Sequence, residues 1–171
     1  MLFYPRSSVL ALLAVTALIG PAQSSGRTTS HAALSSFCTG DELQVMICLH
    51  QSARRRRGLP PLRLSLRLVG AARAKGADVA RCGFSHTACG HSVEYRVVRS
   101  GYRWTHVGEN LAWGTGSLGR PYAIFSAWIR SPGHRANILD PTFRDLGIAV
   151  RRGTFAGRPD AAVWVAEFAR H

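Results

Sequence analysis

The chain of 171 residues suits one folded domain, and it carries a formal net charge of +13 at neutral pH. Such a charge favours contact with anionic polymers, anionic lipid headgroups or nucleic acid. No recognised nucleic-acid-binding motif accompanies the charge, so we do not expect nucleic acid to be a partner.

Residues 1–22 are typical of a secretory signal peptide. Arg6 provides a short basic start, and residues 9–19 form an apolar run that is too short for a membrane-spanning helix. Small residues then offer a cleavage site after Ala22. An uncleaved membrane anchor is the alternative. We expect a secreted, extracellular protein with no transmembrane segment once the signal is removed.

The rest of the chain divides into a leader and a domain. Residues 23–37 are rich in Ser, Thr, Ala and Gly and predict a flexible leader, and residues 38–171 predict a single domain. Its four cysteines suit an exported protein and allow three pairings. Nearness in sequence favours Cys38 with Cys48 and Cys82 with Cys89. No Cys-x-x-Cys occurs, which argues against a zinc ribbon or a thioredoxin-like site.

The first half of the domain predicts helices. A capping-box pattern at Thr39 begins the first helix, and Gly58 ends it. Ser65 is a plausible N-cap for a second helix that runs to about Arg81, and residues 91–100 predict a third.

The middle of the domain predicts one extended segment followed by two helices. Residues 104–113 mix polar and apolar side chains and indicate a strand. Pro121 suits the first turn of a helix, and Pro132 begins another short helical turn.

The end of the chain predicts a β-hairpin. Apolar side chains alternate over residues 146–151 and again over 163–168, and residues 153–160 form the predicted loop between them. Helices placed before and between a few antiparallel strands predict an α+β fold in which helices cover the sheet.

Several charged and aromatic residues are interpreted as ordinary surface or core. Residues 54–57, four consecutive arginines, predict the solvated end of the first helix, with an anion-binding patch as the alternative. The histidines at 31, 50, 91, 106 and 171 have no matched partners and predict surface positions. The aromatic residues between Tyr102 and Phe168 fit a core better than a stacking platform for nucleic acid.

Three short phrases carry the candidate chemistry: Phe84-Ser85-His86, Gly108-Glu109-Asn110, and the phrase from Ser131 to Leu139 that contains His134. Two imidazoles and one carboxylate suit a divalent metal such as zinc, or general acid–base catalysis. The structural alternative is that each side chain satisfies its own local hydrogen bonds. Ser85 and Ser131 adjoin the histidines and allow a Ser–His pair, but no acid partner is evident.

Taken in order, these phrases resemble the CAP superfamily, the cysteine-rich secretory, antigen-five and pathogenesis-related proteins. The match is strongest to the compact exported bacterial branch and covers about residues 48–168. Further matching phrases are Gly58-Leu59-Pro60-Pro61-Leu62, Gly101-Tyr102, Trp128, Leu146-Gly147-Ile148 and residues 164–168. The resemblance implies an α-β-α sandwich with a central antiparallel sheet covered by helices on both faces, and an open cleft lined by two histidines and two acidic residues.

The resemblance assigns this cleft to His86, Glu109 and His134. The second acidic residue of larger relatives follows a Trp, but here Trp128 is followed by Ile129-Arg130-Ser131. The four-residue site is therefore reduced to three, which weakens the case for a complete hydrolytic site. A further departure is Gln51, where relatives of this branch usually carry Asn.

We therefore expect a monomeric binding module for an amphiphilic ligand or an anionic polymer of the cell envelope. His86 and His134 would hold a divalent cation such as zinc, with Glu109 orienting an imidazole or a bound water and Ser131 in the same cleft. The alternative is a metal-assisted hydrolase of peptides or esters, in which Glu109 is the general base.

Overall fold

The structure is a computed structural model that describes residues 38–171, so the predicted signal peptide, the predicted leader and His31 lie outside the described residues. Within that range there are five α-helices and four strands. In chain order they are α1 (Glu42–Arg55), β1 (Arg63–Leu64), α2 (Leu66–Cys82), α3 (Val93–Arg99), β2 (His106–Thr115), α4 (Pro121–Arg130), α5 (Pro132–Leu139), β3 (Asp145–Phe155) and β4 (Arg158–Arg170).

The four strands form one sheet in the order β1-β3-β4-β2. The three long strands are antiparallel to their neighbours, whereas the two-residue β1 pairs parallel with β3. The predicted α+β fold is confirmed, with the correction that β1 makes the sheet mixed rather than wholly antiparallel.

Strand β4 divides the core between the two faces of the sheet because its side chains alternate. Trp164 and Phe168 point towards α1, α4 and α5, and they belong to one buried cluster with Met46. Val163 and Val165 point the other way and pack with residues of α2. Helices therefore cover both faces, and the edge strand β2 lies where the two helical layers approach each other.

Helix α1 begins later than the sequence predicts. Asp41, not Thr39, is the N-cap, and its side chain accepts the backbone N–H of Gln44 at 2.9 Å. The Gln44 side chain in turn accepts the backbone N–H of Asp41 at 3.0 Å. This capping box satisfies two donors that the helix itself leaves free, which explains why it prevails over the predicted start. Gly58 lies beyond the helix end, at a φ of +67°.

Two other helix starts agree with the sequence, and the hairpin differs from it. Ser65 caps α2, and Ser92 caps α3 inside the predicted range. The hairpin loop is much shorter than residues 153–160, because Phe155 pairs with Arg158 across a two-residue turn. Both turn residues have positive φ, as tight hairpins of this kind require. A bulge after residue 153 interrupts the alternation of apolar and polar side chains, so the sequence pattern does not show where the strands end.

Arg54 is buried, which corrects the prediction of a solvated arginine block. Its guanidinium donates to the backbone carbonyls of Pro60, Ile138 and Asp140 at 2.9, 3.0 and 2.8 Å. The bonds to Ile138 and Asp140 satisfy carbonyl groups at the end of α5, and all three bonds compensate for the burial of the charge. The other three arginines of the block, residues 55–57, are exposed as predicted.

His50 is also buried, which corrects its prediction as a surface residue. It is fully enclosed, packs against the rings of Phe125, Trp128 and Phe168, and its Nδ1 lies 2.8 Å from the carbonyl of Met46. Burial lowers the pKa of His50 to about 4, so the ring is neutral at physiological pH.

The remaining described histidines have partners that the sequence did not indicate. His91 is half-buried, with its Nδ1 3.0 Å from a carboxylate oxygen of Asp78. His106 and His171 are exposed, and lie 3.6 Å from Asp140 and 3.3 Å from Asp145 respectively. Two tryptophans predicted in the core, at 104 and 113, are at least one-third exposed.

The two disulfides are the pair favoured by nearness in sequence, Cys38–Cys48 and Cys82–Cys89. The first ties the start of the described chain to α1, and the second closes the loop that follows α2. Over residues 38–171, no helix combines the length and the apolar character needed to cross a membrane.

Candidate functional site

His86 lies in the loop after α2, which the Cys82–Cys89 disulfide closes. Its Nδ1 donates to Oε1 of Glu109 at 2.7 Å. The His86 side chain is 62% exposed, whereas Glu109 on β2 is almost completely buried. The hydrogen bond to Glu109 raises the pKa of His86, and it leaves the Nε2 atom of the ring available to a ligand.

Lys75 forms hydrogen bonds to the backbone of the loop that carries His86. It is fully buried on α2, and its Nζ donates to the backbone carbonyls of His86 and His91, both at 2.6 Å. The same Nζ lies 3.7 Å from Oε2 of Glu109. Lys75 therefore both holds the loop and balances the charge of Glu109. Lys75 was not among the predicted site residues, although its position between Ala72 and Val79 on the apolar face of a helix was a signal.

A second buried acid lies beside Glu109. Glu167 stands directly opposite Glu109 in the β2–β4 register and is fully buried. Burial, and then the charge of Glu109, raise the pKa of Glu167 well above its usual value, which favours the protonated form of this carboxyl. Glu167 was also missed, although it falls on the same inward-facing positions of β4 as Val163 and Val165.

His134 lies on α5, on the other side of β2. Its Nδ1 is 2.9 Å from Oγ of Ser131, so Ser131 contacts the imidazole and makes no side-chain cap of the helix. Partial burial, and then the charge of His86, lower the pKa of His134. The lowered pKa keeps the His134 ring neutral at physiological pH.

Two asparagines fix α5 against β2. Asn137 donates to the carbonyl of Glu109 at 3.1 Å and to Oδ1 of Asn110 at 2.9 Å, and Asn110 donates to the carbonyl of His134 at 3.0 Å. Gly108 permits this approach, since a Cβ there would lie 2.9 Å from the ring of Phe143 and 3.1 Å from Asn137. The strand thus presents Glu109 to one helical layer and Asn110 to the other.

The arrangement offers few metal ligands. Among residues 38–171, no three His, Cys, Asp or Glu side chains are grouped so that they could hold a metal ion. Glu109 and Ser131 occupy the Nδ1 atoms of His86 and His134, so only the two Nε2 atoms are available. The chain would therefore contribute two imidazoles to a metal and leave its other positions to water or to a ligand.

A separate apolar pocket of about 420 Å³ lies in the layer formed by α1, α4 and α5. Its apolar wall includes Leu49, Ala53, Phe125, Ile129 and Leu139. The lining also contains four exposed arginines, Arg56, Arg57, Arg130 and Arg135. Within the described part of the chain, none of these arginines forms a salt bridge with a carboxylate. The pocket therefore combines an apolar interior with uncompensated positive charge.

Comparison with known proteins shows the family. The description of the CAP, or cysteine-rich secretory protein, family matches residues 48–168. The chain therefore belongs to the CAP family, as its phrases predicted. The uncharacterized protein YkwD of Bacillus subtilis (strain 168) is 32% identical over 135 residues, which cover 78% of this chain and 51% of that protein. This chain thus spans about half the length of that relative.

Solved structures give the same result for the fold. An extracellular protein of Bacillus anthracis with an SCP domain is 25% identical, with a TM-score of 0.63 over 75% of this chain and 40% of that one. An outer surface protein of Borrelia burgdorferi has a TM-score of 0.67 over 76% of this chain and 92% of its own, at 16% identity. At that identity, the second likeness concerns the fold alone.

Proposed function

We propose that the protein works outside the cell by binding an anionic amphiphile, a molecule with an apolar chain and an acidic headgroup. The observation that carries this proposal is the apolar pocket between α1, α4 and α5, whose four arginines have no carboxylate partner. An extracellular location is supported by the similar B. anthracis protein, which is extracellular.

The chemistry of the pocket matches the two parts of such a ligand. Each methylene group moved from water into an apolar site contributes about 0.8 kcal/mol. A guanidinium presents planar donors that suit a carboxylate or a phosphate, and Arg130 and Arg135 come from neighbouring helices on one side of the pocket. Arg130 donates to the hydroxyl of Ser126 and Arg135 to the carbonyl of Ile129 at 3.4 Å, and these neutral partners leave the two positive charges unbalanced for an acidic headgroup.

The direct test is calorimetric titration with dodecanoate. We expect Arg130→Gln together with Arg135→Gln to weaken binding roughly tenfold, since each arginine contributes one charge-assisted contact. Ile129→Asp should weaken it further by placing a carboxylate in the pocket. The matched control is Arg158→Gln, an exposed arginine on the hairpin. Equal affinities in the control and in the pocket variants would refute the proposal.

We also propose that the cleft binds a divalent cation such as zinc through His86 and His134. The support is that each imidazole has Nδ1 engaged and Nε2 available, with Glu109 orienting His86 as carboxylates commonly orient metal-binding histidines. Because a bound histidine must be unprotonated and Glu109 raises the pKa of His86, zinc affinity should increase as the pH rises through the titration of His86.

Zinc titration of the wild type and of alanine variants tests this second proposal. His86→Ala and His134→Ala should each reduce affinity at least tenfold, whereas His106→Ala, an exposed histidine on the same strand as Glu109, should not.

The contacts of Glu109 favour an orienting role over that of a general base in a hydrolase. Its Oε1 accepts from His86, and the residue is only 6% exposed.

A further inference from the structure

A second groove lies on the opposite face of the sheet, between the start of α2 and the end of α3. It has a volume of about 500 Å³, and its lining includes Leu66, Arg67, Gly70 and Arg99. Arg67 donates to the carbonyl of Gly101 at 3.0 Å, which joins the two helices at this end. Neither the His86–His134 cleft nor the amphiphile pocket uses any of these residues.

The charge of this face is not neutralised. Arg67 and Arg99 form no salt bridge within residues 38–171, while the third arginine of the groove, Arg96, is paired with Asp78. The nearest acid on α3 is Glu94, which lies in the first turn at the other end of the helix. The groove therefore presents two guanidinium groups whose charge no carboxylate balances.

Large apolar side chains are exposed in the chain segments that form this groove or directly precede it. Leu66 is 81% exposed and lines the groove, and Val98, which precedes Arg99, is 60% exposed. Leu64, two residues before Leu66, is 53% exposed. Single exposed apolar residues are ordinary, but Leu66 lines the groove together with Arg67 and Arg99, and Val98 and Leu64 stand next to Arg99 and two residues before Leu66 in the chain.

We propose that this face, formed by Leu64, Leu66, Arg67, Val98 and Arg99, docks on an anionic lipid bilayer. Arg67 and Arg99 contact headgroup phosphates, and Leu66 enters the boundary with the acyl chains. A polyanion alone would need the arginines but not the exposed leucines and valine, which is why the surface fits a bilayer better. The inference is independent of the amphiphile pocket, which lies in the other helical layer.

The test is co-sedimentation of the full chain with vesicles of phosphatidylcholine containing phosphatidylglycerol. Arg67→Gln with Arg99→Gln should reduce the partition coefficient roughly 20-fold, since each arginine near an anionic surface contributes about fivefold. Leu66→Ser with Val98→Ser should reduce it about tenfold. All chains carry the same residues 1–37, so that the differences report this face.

Matched controls come from other parts of the surface. Arg120→Gln with Arg158→Gln removes two exposed arginines, and Leu118→Ser removes a leucine that is 68% exposed. Neither control should change the partition coefficient by more than about twofold. Circular dichroism melting curves establish that each variant is folded.

Three results would overturn the inference. The first is an unchanged partition for the Leu66 and Val98 variant while the arginine variant loses binding, because this is the behaviour of a polyanion site. The second is an equal loss in the controls, which would indicate non-specific attraction by net charge. The third is a comparable loss for Arg130→Gln with Arg135→Gln, which would assign the bilayer to the amphiphile pocket. A failed dodecanoate titration alone leaves the inference intact.

Discussion

Lys75 connects the buried acids to the exposed histidine of the cleft. Its ammonium group neutralises Glu109 and holds the loop that carries His86, all without contact with solvent. A buried charge of this kind is costly unless it is paired and hydrogen-bonded, and Lys75 has both kinds of partner.

Replacement of Lys75 should therefore destabilise the protein strongly. Lys75→Met leaves Glu109 without its cation and two loop carbonyls without a donor, so we expect the free energy of unfolding to fall by about 3–5 kcal/mol. Arg73→Met, an exposed residue of the same helix, should change it by less than about 0.5 kcal/mol. Urea denaturation measures both, and a Lys75→Met value near that of the control would contradict the assigned role.

His50 makes a separate prediction about pH. Burial lowers its folded pKa to about 4, from 6.5 in the unfolded chain, so the unfolded state binds more protons between these values. The contribution of His50 is complete above pH 6.5 and is lost as the pH falls to about 4, by roughly 3 kcal/mol. His50→Phe should lack this component in urea denaturation over that range. An unchanged pH dependence in the variant would exclude His50 as the cause.

At the level of elements, the cleft depends on how the loop after α2 and helix α5 approach β2. The loop is closed by the Cys82–Cys89 disulfide, which spans a sequence separation of 7 residues. Helix α5 is held against β2 by the hydrogen bonds of Asn137 and Asn110. The two imidazoles therefore belong to separately anchored elements.

Removal of the disulfide should affect one imidazole more than the other. In Cys82→Ser with Cys89→Ser, we expect a loss of about 2 kcal/mol in unfolding free energy, the low end for so short a loop. The NMR signals of the His86 ring should broaden or shift, whereas those of His134 should keep their positions. Equal perturbation of both rings would show that the loop and α5 are not anchored independently.

Local signals predicted the elements better than they predicted the site. Ser65, Pro121 and Pro132 mark helix starts because capping and proline geometry act within a few residues. The pairing of His86 with Glu109 could be expected only from the family resemblance, since 23 residues separate them.

Buried ionisable residues were the ones that the sequence did not reveal or, for Arg54, predicted to be exposed. Lys75, Glu167 and Arg54 have types that are usually exposed, and their burial depends on partners distant in sequence. Arg54, for example, donates to a carbonyl 84 residues away. The local signal for their burial was an ionisable residue at a position where the helix or strand pattern of inward-facing residues predicts an apolar side chain.

At the scale of the whole molecule, three surfaces are distributed around one sheet. His86 and His134 lie on either side of β2, the apolar pocket lined by arginines lies in the α1, α4 and α5 layer, and the groove lined by Leu66, Arg67 and Arg99 lies between α2 and α3. A net charge of +13 favours anionic partners at long range, while the individual surfaces select among them. We therefore expect salt to weaken attraction to bilayers more than it weakens dodecanoate binding, because a charged bilayer surface attracts exposed arginines over distances that salt screens.

The most direct test of the proposed function is photo-crosslinking with a diazirine-labelled fatty acid, followed by peptide mass spectrometry. We predict adducts on the α1 segment around Ala53 and on the segment from Ile129 to Leu139, and their loss when unlabelled dodecanoate is present in excess. Adducts confined to other segments, or adducts that excess dodecanoate does not displace, would contradict a ligand pocket between these helices.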